Sequence, residues 1–127
     1  MSKNNGRQFI NGERVAANAP ALESIAAKDY QPTGYVFSQA TLEEVDQAAQ
    51  AAHNAFLVYS QTTQEQRASF LEEIARQIEA LGANLQEVAS LETGLPLARL
   101  QGETGRVTGQ LRLFAELLRR GDFYGAR

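Results

Sequence analysis

The stretch from Thr63 to Gly94 constrains the fold most, because it carries start and stop signals for two consecutive helices. Thr63 and Gln66 have the spacing of a capping box, in which each side chain hydrogen-bonds the other residue's backbone amide. Gly82 and Gly94 are predicted to end the two helices, since glycine adopts the left-handed cap conformation at little cost. Apolar residues recur at helical spacing and predict one face that needs a covering layer: Phe70, Leu71, Ile74, Ala75, Ile78 and Leu81.

Two further helices are predicted on either side of this stretch. Thr41 and Glu44 have the spacing of a second capping box, and it opens a helix whose apolar positions continue to Phe56. The longest helix is predicted from Leu97 to about Arg120, with apolar residues in a three-four rhythm. Three glycines inside it each cost roughly 1 kcal/mol relative to alanine and indicate a kink or close packing: Gly102, Gly105 and Gly109.

Two β-hairpins are predicted before the helices, within residues 8–39. Asn11–Gly12 lies between short apolar segments and predicts a type I′ turn, whose two central residues need positive φ. A second hairpin is predicted from Leu22–Tyr30 and Tyr35–Gln39, joined by a turn at Gln31–Gly34. Because an isolated two-stranded ribbon is marginally stable in water, both hairpins are expected to lie on a sheet or a helix layer.

Composition restricts the function classes. With 127 residues, of which 43% are hydrophobic, the chain has the size and the core material of one ordinary domain. A net charge of −3 disfavours nucleic acid or an acidic membrane as a partner. The absence of cysteine excludes disulfides, thiolate metal sites and a cysteine nucleophile within these residues. No apolar run reaches the length of a signal peptide or a membrane span, so we expect a cytoplasmic protein.

Few side chains offer chemistry. His53 is the only histidine, and no Ser or Asp at a suitable spacing completes a relay with it, so it is interpreted as a solvated residue. The adjacent carboxylates Glu43–Glu44 and Glu72–Glu73 diverge by about 100° on a helix and are interpreted as charged surface. Glu72 is expected to pair with Arg76 four residues later. No metal-binding residue is predicted.

Arginines collect on the last predicted helix. Residues 97–127 contain 6 basic and 3 acidic groups, against 6 and 12 in residues 1–96. Arg99, Arg106 and Arg120 share a heptad column, and Arg112 and Arg119 lie beside it. Such a column is either a solvated helix face or a wall that faces an anion.

Several short motifs succeed one another along nearly the whole chain: Phe9–Glu13, Pro32–Gly34, Ala40–Thr41, Glu44–Val45, Ala48–Ala49, Glu65–Ala68, Leu91–Pro96 and Phe114–Ala115. In this order and spacing they resemble the opening segment of the NAD(P)-dependent aldehyde dehydrogenases. The runs Gly102–Arg106 and Gly109–Ala115 are most similar to the branch acting on α-ketoglutarate semialdehyde, also called 2,5-dioxopentanoate.

The resemblance implies an α/β fold of the aldehyde dehydrogenase type, with a Rossmann-like cofactor domain, a catalytic domain and an oligomerisation arm. Residues 1–127 would form the N-terminal part of the cofactor-binding domain, with hairpins in 8–39 and about four helices in 41–120. The partners it implies are the remainder of the subunit, an aldehyde substrate, NAD(P) and further copies of the complete enzyme, but neither nucleic acid nor membrane. The catalytic cysteine and glutamate and the dinucleotide-contacting segments lie downstream in the family pattern. This chain alone is therefore expected to be inactive and to bind no cofactor.

One functional position within the chain follows from the resemblance. Glu103 and Arg106, with Gln110 a further turn on, match family residues that line the access funnel to the aldehyde site. A guanidinium there suits a substrate with a carboxylate far from its aldehyde, because arginine offers a planar two-pronged donor. The alternative is a solvated arginine.

Two other functions remain open from the sequence. The first is a self-standing helical interaction module, whose Leu97–Leu118 seam pairs with a partner helix. The two ribbons discriminate against it, since a coiled coil has no use for them. The second is nucleotide binding by the glycine-rich stretch, which lacks the Gly-Lys-Ser/Thr ending and the strand-to-helix context of a phosphate loop.

Overall fold

The computed structural model describes residues 6–15 and 20–125. The chain divides into two compact units, Met1–Gln61 and Thr62–Arg127. Residues 16–19, inside the predicted hairpin range, lie outside the described residues. The described elements are, in order, β1 (Gln8–Ile10), β2 (Glu13–Val15), β3 (Ala21–Ile25), β4 (Pro32–Ser38), α1 (Leu42–Tyr59), α2 (Gln64–Thr93), α3 (Leu97–Arg120) and a short 3₁₀ turn (Asp122–Tyr124).

The first hairpin forms as predicted. β1 and β2 pair antiparallel, with Phe9 opposite Arg14. Asn11 has φ 52° and Gly12 has φ 82°, so both central residues of the turn lie in the left-handed region. This is the backbone requirement of a type I′ turn, and it explains why Asn-Gly occupies these positions.

The second hairpin is confirmed, but its predicted turn at Gln31–Gly34 is wrong. The chain reverses earlier, where the amide of Tyr30 donates to the Ala26 carbonyl at 2.9 Å and that of Ala26 donates to Gln31 at 2.9 Å. Pro32 instead opens β4, a strand position at which the missing N–H removes nothing. Pro32 and Gly34 are therefore strand residues, although their spacing is also typical of a turn.

Gly34 belongs to an irregularity within the β3–β4 sheet. The register shifts between the pairs Glu23–Val36 and Ile25–Pro32, and Gly34 has φ 81° there. The Thr33 hydroxyl donates to the Ser24 carbonyl at 3.1 Å across the irregular stretch. Such bulges commonly place a glycine in the left-handed conformation, and this explains the residue type.

Helix α1 begins at the predicted capping box. The Glu44 amide donates to Thr41 Oγ1 at 3.2 Å, and the Thr41 amide donates to Glu44 Oε2 at 3.0 Å. Alanines on one face border the first hairpin, where Ile10 and Asn11 lie near Ala51 and Ala55. The large apolar residues of α1 stay exposed, however, with Leu42 at 86% and Phe56 at 61%.

Gly6 and Gln8 lie against the end of β4. The Ser38 amide donates to the Gly6 carbonyl at 2.7 Å, and Gln8 Nε2 donates to the Ser38 carbonyl at 2.7 Å. A Cβ added to Gly6 would lie 1.9 Å from the Val36 carbonyl oxygen, so only glycine allows this approach. The two ribbons of this unit are thereby tied together.

In residues 6–15 and 20–125 three helices are found, and the second consists of two segments, in agreement with the prediction of about four. Thr63 and Gln66 form the predicted capping box, and Gly94 ends α2 in the left-handed conformation with φ 73°. Between these two caps, Gly82 has φ 53° and ψ −138°, which no helix adopts, so two helical segments meet at a kink at this residue. The predicted end of a helix at Gly82 is therefore confirmed, and the second segment follows without a loop.

Helix α3 has the predicted bounds and is capped at Gly121, which has φ 69°. It continues unbroken through Gly102, Gly105 and Gly109, so the predicted kink at these glycines is wrong. A Cβ added to any of the three would meet nothing within 4 Å, so within the described residues they also serve no close packing. The 3₁₀ turn after Gly121 was not predicted.

Helices α2 and α3 form an antiparallel pair whose buried positions are small. Ala68 and Ala75 on α2, and Thr108 and Ala115 on α3, are the fully buried residues of this unit, and each pair is spaced by seven. The predicted seam residues are only partly covered, with Phe114 47% and Phe70 53% exposed. The apolar stripes therefore exceed what the two helices cover for each other.

Within residues 6–15 and 20–125, no helix combines the length and apolar character needed to cross a bilayer.

The conformation of Gly82 generates a stability prediction. Because its φ and ψ lie in a region open essentially to glycine alone, we expect Gly82→Ala to lower the free energy of unfolding by about 1–3 kcal/mol. The control is Gly102→Ala, where the backbone is helical and the space is open, and we expect a gain of about 1 kcal/mol. Urea denaturation followed by circular dichroism measures both. A neutral or stabilising Gly82→Ala variant would show that the kink imposes no such strain.

Candidate functional site

The predicted funnel residues form an ion-pair cluster on α3. Arg106 donates from Nε (2.9 Å) and Nη2 (2.7 Å) to a single oxygen, Glu103 Oε2. Arg99 Nε donates to the other oxygen, Oε1, at 3.1 Å. Glu103 is thus held by one arginine a turn before it and another a turn after it, the i,i+4 and i,i+3 spacings at which helix side chains meet.

The charges of this cluster are distributed unevenly. The Glu103 side chain is 32% exposed, whereas those of Arg99 and Arg106 are 67% and 77% exposed. Hydrogen bonds from Arg106 and Arg99 hold the pKa of the Glu103 carboxyl below its ordinary value. The Glu103 carboxylate is therefore charged and hydrogen-bonded to both arginines. The cluster of two arginines and one glutamate has a net charge of +1 at the surface.

The three predicted residues do not line one cavity. Arg106 and Gln110 border a groove of about 620 Å³. Apolar side chains provide most of its lining: Leu71, Val107, Leu111, Phe114, Leu117, Leu118 and Phe123. Glu103 instead borders a smaller groove with Leu85 and Leu100. The structure thus brings Arg106 and Gln110 to the edge of the apolar groove and leaves Glu103 behind them as the partner of Arg106.

The two arginines beside the column, Arg112 and Arg119, connect α2 and α3. Arg119 pairs with both Glu65 (2.8 Å) and Glu72 (2.5 Å) on α2, and Arg112 pairs with Glu79 at 2.7 Å. The expected Glu72–Arg76 pair is wrong, because Arg76 pairs with Glu73 at 2.5 Å and Glu72 turns towards α3. The divergence predicted for the adjacent carboxylates of α2 is confirmed by these different partners.

The ion pairs of Arg119 and Arg112 with Glu65, Glu72 and Glu79 form a ladder between α2 and α3, and the sequence carries a signal for it. Glu65, Glu72 and Glu79 are spaced by seven, as are Arg112 and Arg119, so each set occupies one face of its helix. Oppositely charged columns on consecutive helices indicate an antiparallel pair joined by a short connection. The arginines of α3 were recognised from the sequence, but the acidic residues that face them on α2 were not.

The ion pairs of α2 and α3 shift the pKa values of the residues that form them. Hydrogen bonds from Arg119 lower the pKa values of Glu65 and Glu72, and these carboxylates in turn raise the pKa of Arg119. The Arg76 guanidinium, with the Gln77 amide, lowers the pKa of Glu73 to about 2. Each of these carboxylates therefore keeps its charge to a lower pH than a free carboxylate does.

Neither the remaining candidates nor the glycines create a second site. His53 is exposed on α1, and in the described part of the chain no three His, Cys, Asp or Glu residues cluster as metal ligands would. Gly102, Gly105 and Gly109 lie in the interior of α3, where backbone amides are engaged in helical hydrogen bonds. They consequently cannot cradle a phosphate as a glycine-rich loop does.

The element order and helix pair can now be compared with known proteins. Residues 15–125 match the family model described as the aldehyde dehydrogenase family. The chain belongs to the aldehyde dehydrogenase family. The resemblance inferred from the sequence motifs is thereby confirmed, and so is the fold class, with three helices, the second of two segments, where about four were predicted.

Two relatives make the comparison more specific. The chain is 81% identical over all 127 residues to alpha-ketoglutaric semialdehyde dehydrogenase of Acinetobacter baylyi, and it covers 24% of that protein. It is 45% identical over 122 residues to alpha-ketoglutaric semialdehyde dehydrogenase 2 of Azospirillum brasilense, covering 95% of this chain and 23% of the relative. The chain thus spans about a quarter of the length of the curated relatives it matches.

A solved structure shares the fold. Betaine aldehyde dehydrogenase from Staphylococcus aureus, in complex with NAD+, superposes with a TM-score of 0.82 at 28% sequence identity. The match covers 89% of this chain and 23% of that one. The hairpins and helices described above therefore correspond to part of a larger aldehyde dehydrogenase fold.

The ion-pair ladder predicts how the stability of the fold depends on pH in the acid range. The contribution of Glu65 and Glu72 to stability is complete above the ordinary carboxyl pKa of 4.5 and is lost as the pH falls through their lowered values. We therefore expect Arg119→Gln to reduce the loss of stability between pH 5 and pH 2, because the carboxyls then titrate as they do unfolded. Denaturation monitored by circular dichroism across this range measures the change.

Arg120→Gln is the matched control for this experiment. Arg120 is adjacent in sequence but pairs with Asp122, two residues away, and so does not connect the helices. Its removal is expected to leave the acid dependence of stability close to that of the parent chain. Identical acid profiles for the Arg119→Gln variant and the parent would contradict the role assigned to the ladder.

Proposed function

We propose that this chain is the N-terminal part of an enzyme that oxidises a carboxylate-bearing semialdehyde to the corresponding acid with NAD(P)+. The observation that carries the proposal is the 81% identity over the whole chain to an alpha-ketoglutaric semialdehyde dehydrogenase. A second alpha-ketoglutaric semialdehyde dehydrogenase at 45% identity supports the same substrate class. α-Ketoglutaric semialdehyde is accordingly the substrate we propose.

In this proposal the chain acts as a scaffold at the front of the cofactor-binding domain. Support comes from its uncovered apolar surface, since no large side chain is fully buried in the described residues and Leu42, Phe56 and Phe114 remain exposed. Burying such side chains contributes about 1.5–3 kcal/mol each, so they are expected to pack on the remainder of the subunit. The groove of about 620 Å³ beside Leu111 and Phe114 is one of these surfaces.

The dinucleotide is assigned to the remainder of the subunit. The described residues do not fit it, because their glycine-rich stretch is helix interior and provides no free backbone amides for a diphosphate. The catalytic thiol is likewise assigned elsewhere, since the chain has no cysteine. The chain alone is expected to be inactive, and no chemical step is assigned to its residues.

The wider setting of the enzyme belongs to the same proposal. We place the complete protein in the cytoplasm, where soluble dinucleotide is available, and we expect it to assemble as a homo-oligomer. Glu103, Arg106 and Gln110 are proposed to border the access route to the aldehyde site. Support for the last point is the open position of Arg106 and Gln110 at the edge of the apolar groove.

The alternative of a self-standing helical interaction module is not favoured. Both ribbons that discriminate against it are present as separate two-stranded sheets. The buried residues between α2 and α3 are three alanines and one threonine, which do not make the leucine seam of a coiled coil.

A complementation experiment tests the proposal. We expect this chain, co-expressed with the A. baylyi enzyme from which the matching quarter has been deleted, to restore NAD(P)-linked oxidation of α-ketoglutaric semialdehyde. Each polypeptide alone should be inactive, because neither buries its apolar face without the other. The measurement is the rate of NAD(P)H formation in purified, co-eluting protein.

A variant with a charge in the groove provides the control. Leu111→Glu places a carboxylate among apolar side chains, and its burial in the reconstituted enzyme is expected to abolish complementation. A chain that elutes as a monomer with no affinity for the remaining polypeptide would refute the scaffold role.

A further inference from the structure

A single glycine joins the two segments of α2. Gly82 has φ 53° and ψ −138°, a conformation open essentially to glycine alone. A Cβ added there would meet nothing within 4 Å, so glycine is needed for its backbone and not for close packing. The segments on either side, residues 64–81 and 83–93, therefore meet at the residue with the freest backbone rotation in the helix.

The ion-pair ladder shows which part of α3 lies level with Gly82. Arg112 pairs with Glu79, and three residues closer to the turn that joins the helices, α2 has Gly82 and α3 has Gly109. The same count from the midpoint of the other two pairs of the ladder reaches Gly105 or its neighbour. Both helices thus have glycine at one level of the pair.

The glycines of α3 are confined to one half of the helix. Gly102, Gly105 and Gly109 all precede residue 110, and residues 110–120 contain none. Glycine lowers helix propensity relative to alanine, and helices bend more readily where it occurs. Helix α3 is therefore continuous in the structure but weakest at and beyond the level of Gly82.

On one side of this level the two helices are held together by their own contacts. We call residues 64–81 of α2 and 110–120 of α3 the base. All three ion pairs of the ladder lie in the base. Ala68 and Ala75, the buried residues of α2, lie there as well. The base therefore has a fixed distance and a fixed register between its helices.

On the other side, residues 83–104 form a second part, which we call the tip. The Ser90 hydroxyl donates to the Leu95 carbonyl at 2.7 Å, and the Gly94 amide donates to the Ser90 carbonyl at 2.8 Å, so the turn between the helices is closed by hydrogen bonds. Thr108, buried at the level between tip and base, keeps the helices in contact there. The tip is thus tied at its far end, and the base is tied by the ladder.

We propose that the tip moves as one body relative to the base, about a hinge formed by Gly82 on α2 and by Gly105 and Gly109 on α3. The inference goes beyond the proposed function, because it concerns the mechanics of the helix pair and needs no assignment of a substrate. The ion pair of Arg99 with Glu103 lies within the tip and moves with it. The ladder stays in the base.

Hydrogen exchange measured by mass spectrometry tests the hinge in a complete enzyme, a chimera in which these 127 residues replace the matching quarter of the A. baylyi relative. A helical amide donates to the carbonyl four residues earlier, so the amides of residues 83–86 and 109–113 bond across the hinge. We expect them to exchange about tenfold faster than the amides of residues 87–92 in the tip and 70–78 in the base, because opening of the hinge breaks only the bonds that cross it.

A double variant, Gly105→Ala with Gly109→Ala, stiffens α3 at the hinge. A Cβ at either position would meet nothing within 4 Å, and both lie within a regular helix, so the variant is expected to fold. The tip can bend only where both helices yield, so exchange of residues 83–86 on α2 is expected to slow about fivefold. Gly102→Ala is the matched control, because it makes the same change inside the tip. It should leave the exchange of these α2 amides within about twofold of the parent.

The chimera without substitutions already distinguishes the hinge from two other behaviours. Exchange that becomes steadily faster from the base to Gly94 would indicate fraying, and equal protection on both sides of Gly82 and across it would indicate a rigid helix pair. Either result overturns the inference. So does a double variant in which residues 83–86 exchange as fast as in the parent, because the glycines of α3 then take no part in the motion.

Discussion

The close approach of α2 and α3 is the constraint on which the second unit depends. Side chains no larger than threonine occupy its buried positions, Ala68 and Ala75 on one helix and Thr108 and Ala115 on the other. Small residues bury little apolar area, so they contribute modestly to stability by themselves. They do bring the helix axes close enough for the ladder from Arg119 to Glu65 and Glu72 to form across the interface. Packing thus fixes the distance between the helices, and charge fixes their register.

This arrangement leaves the larger apolar side chains on the outer faces. Phe70, Val107 and Phe114 remain about half exposed, and no large side chain is fully buried in the described residues. A chain of this size normally encloses a core, and the surplus of exposed apolar side chains is what the proposed place in a longer polypeptide would explain. The comparison with relatives four times as long accounts for it, since the same faces then have polypeptide to cover them.

Local signals determined most of what could be predicted from the sequence. Capping boxes at Thr41 and Thr63 and the Asn11–Gly12 turn were correct because each depends on residues within three positions of one another. The turn assigned to Gln31–Gly34 failed because Pro and Gly fit a strand opening and a bulge as well as a turn. Whether residues 31–34 form a turn or a strand with a bulge depends on how they pair with β3, and short-range sequence signals do not show this pairing. Glu72 was misassigned for the same reason, since its partner lies 47 residues away.

The residues of the candidate site could be predicted from the sequence, but their arrangement in space could not. The family resemblance singled out Glu103 and Arg106 together, yet which edge of the Arg106 guanidinium is occupied follows only from the hydrogen bonds. The three glycines of α3 show the same difference between what the sequence reveals and what only the structure reveals. They cost helix stability, and a Cβ added to any of them would meet nothing within 4 Å in the described residues, so they serve no close packing of α3 against α2. Their residue type is visible in the sequence, but the open space around each of them is a property of the fold, because it depends on which residues of α2 approach α3.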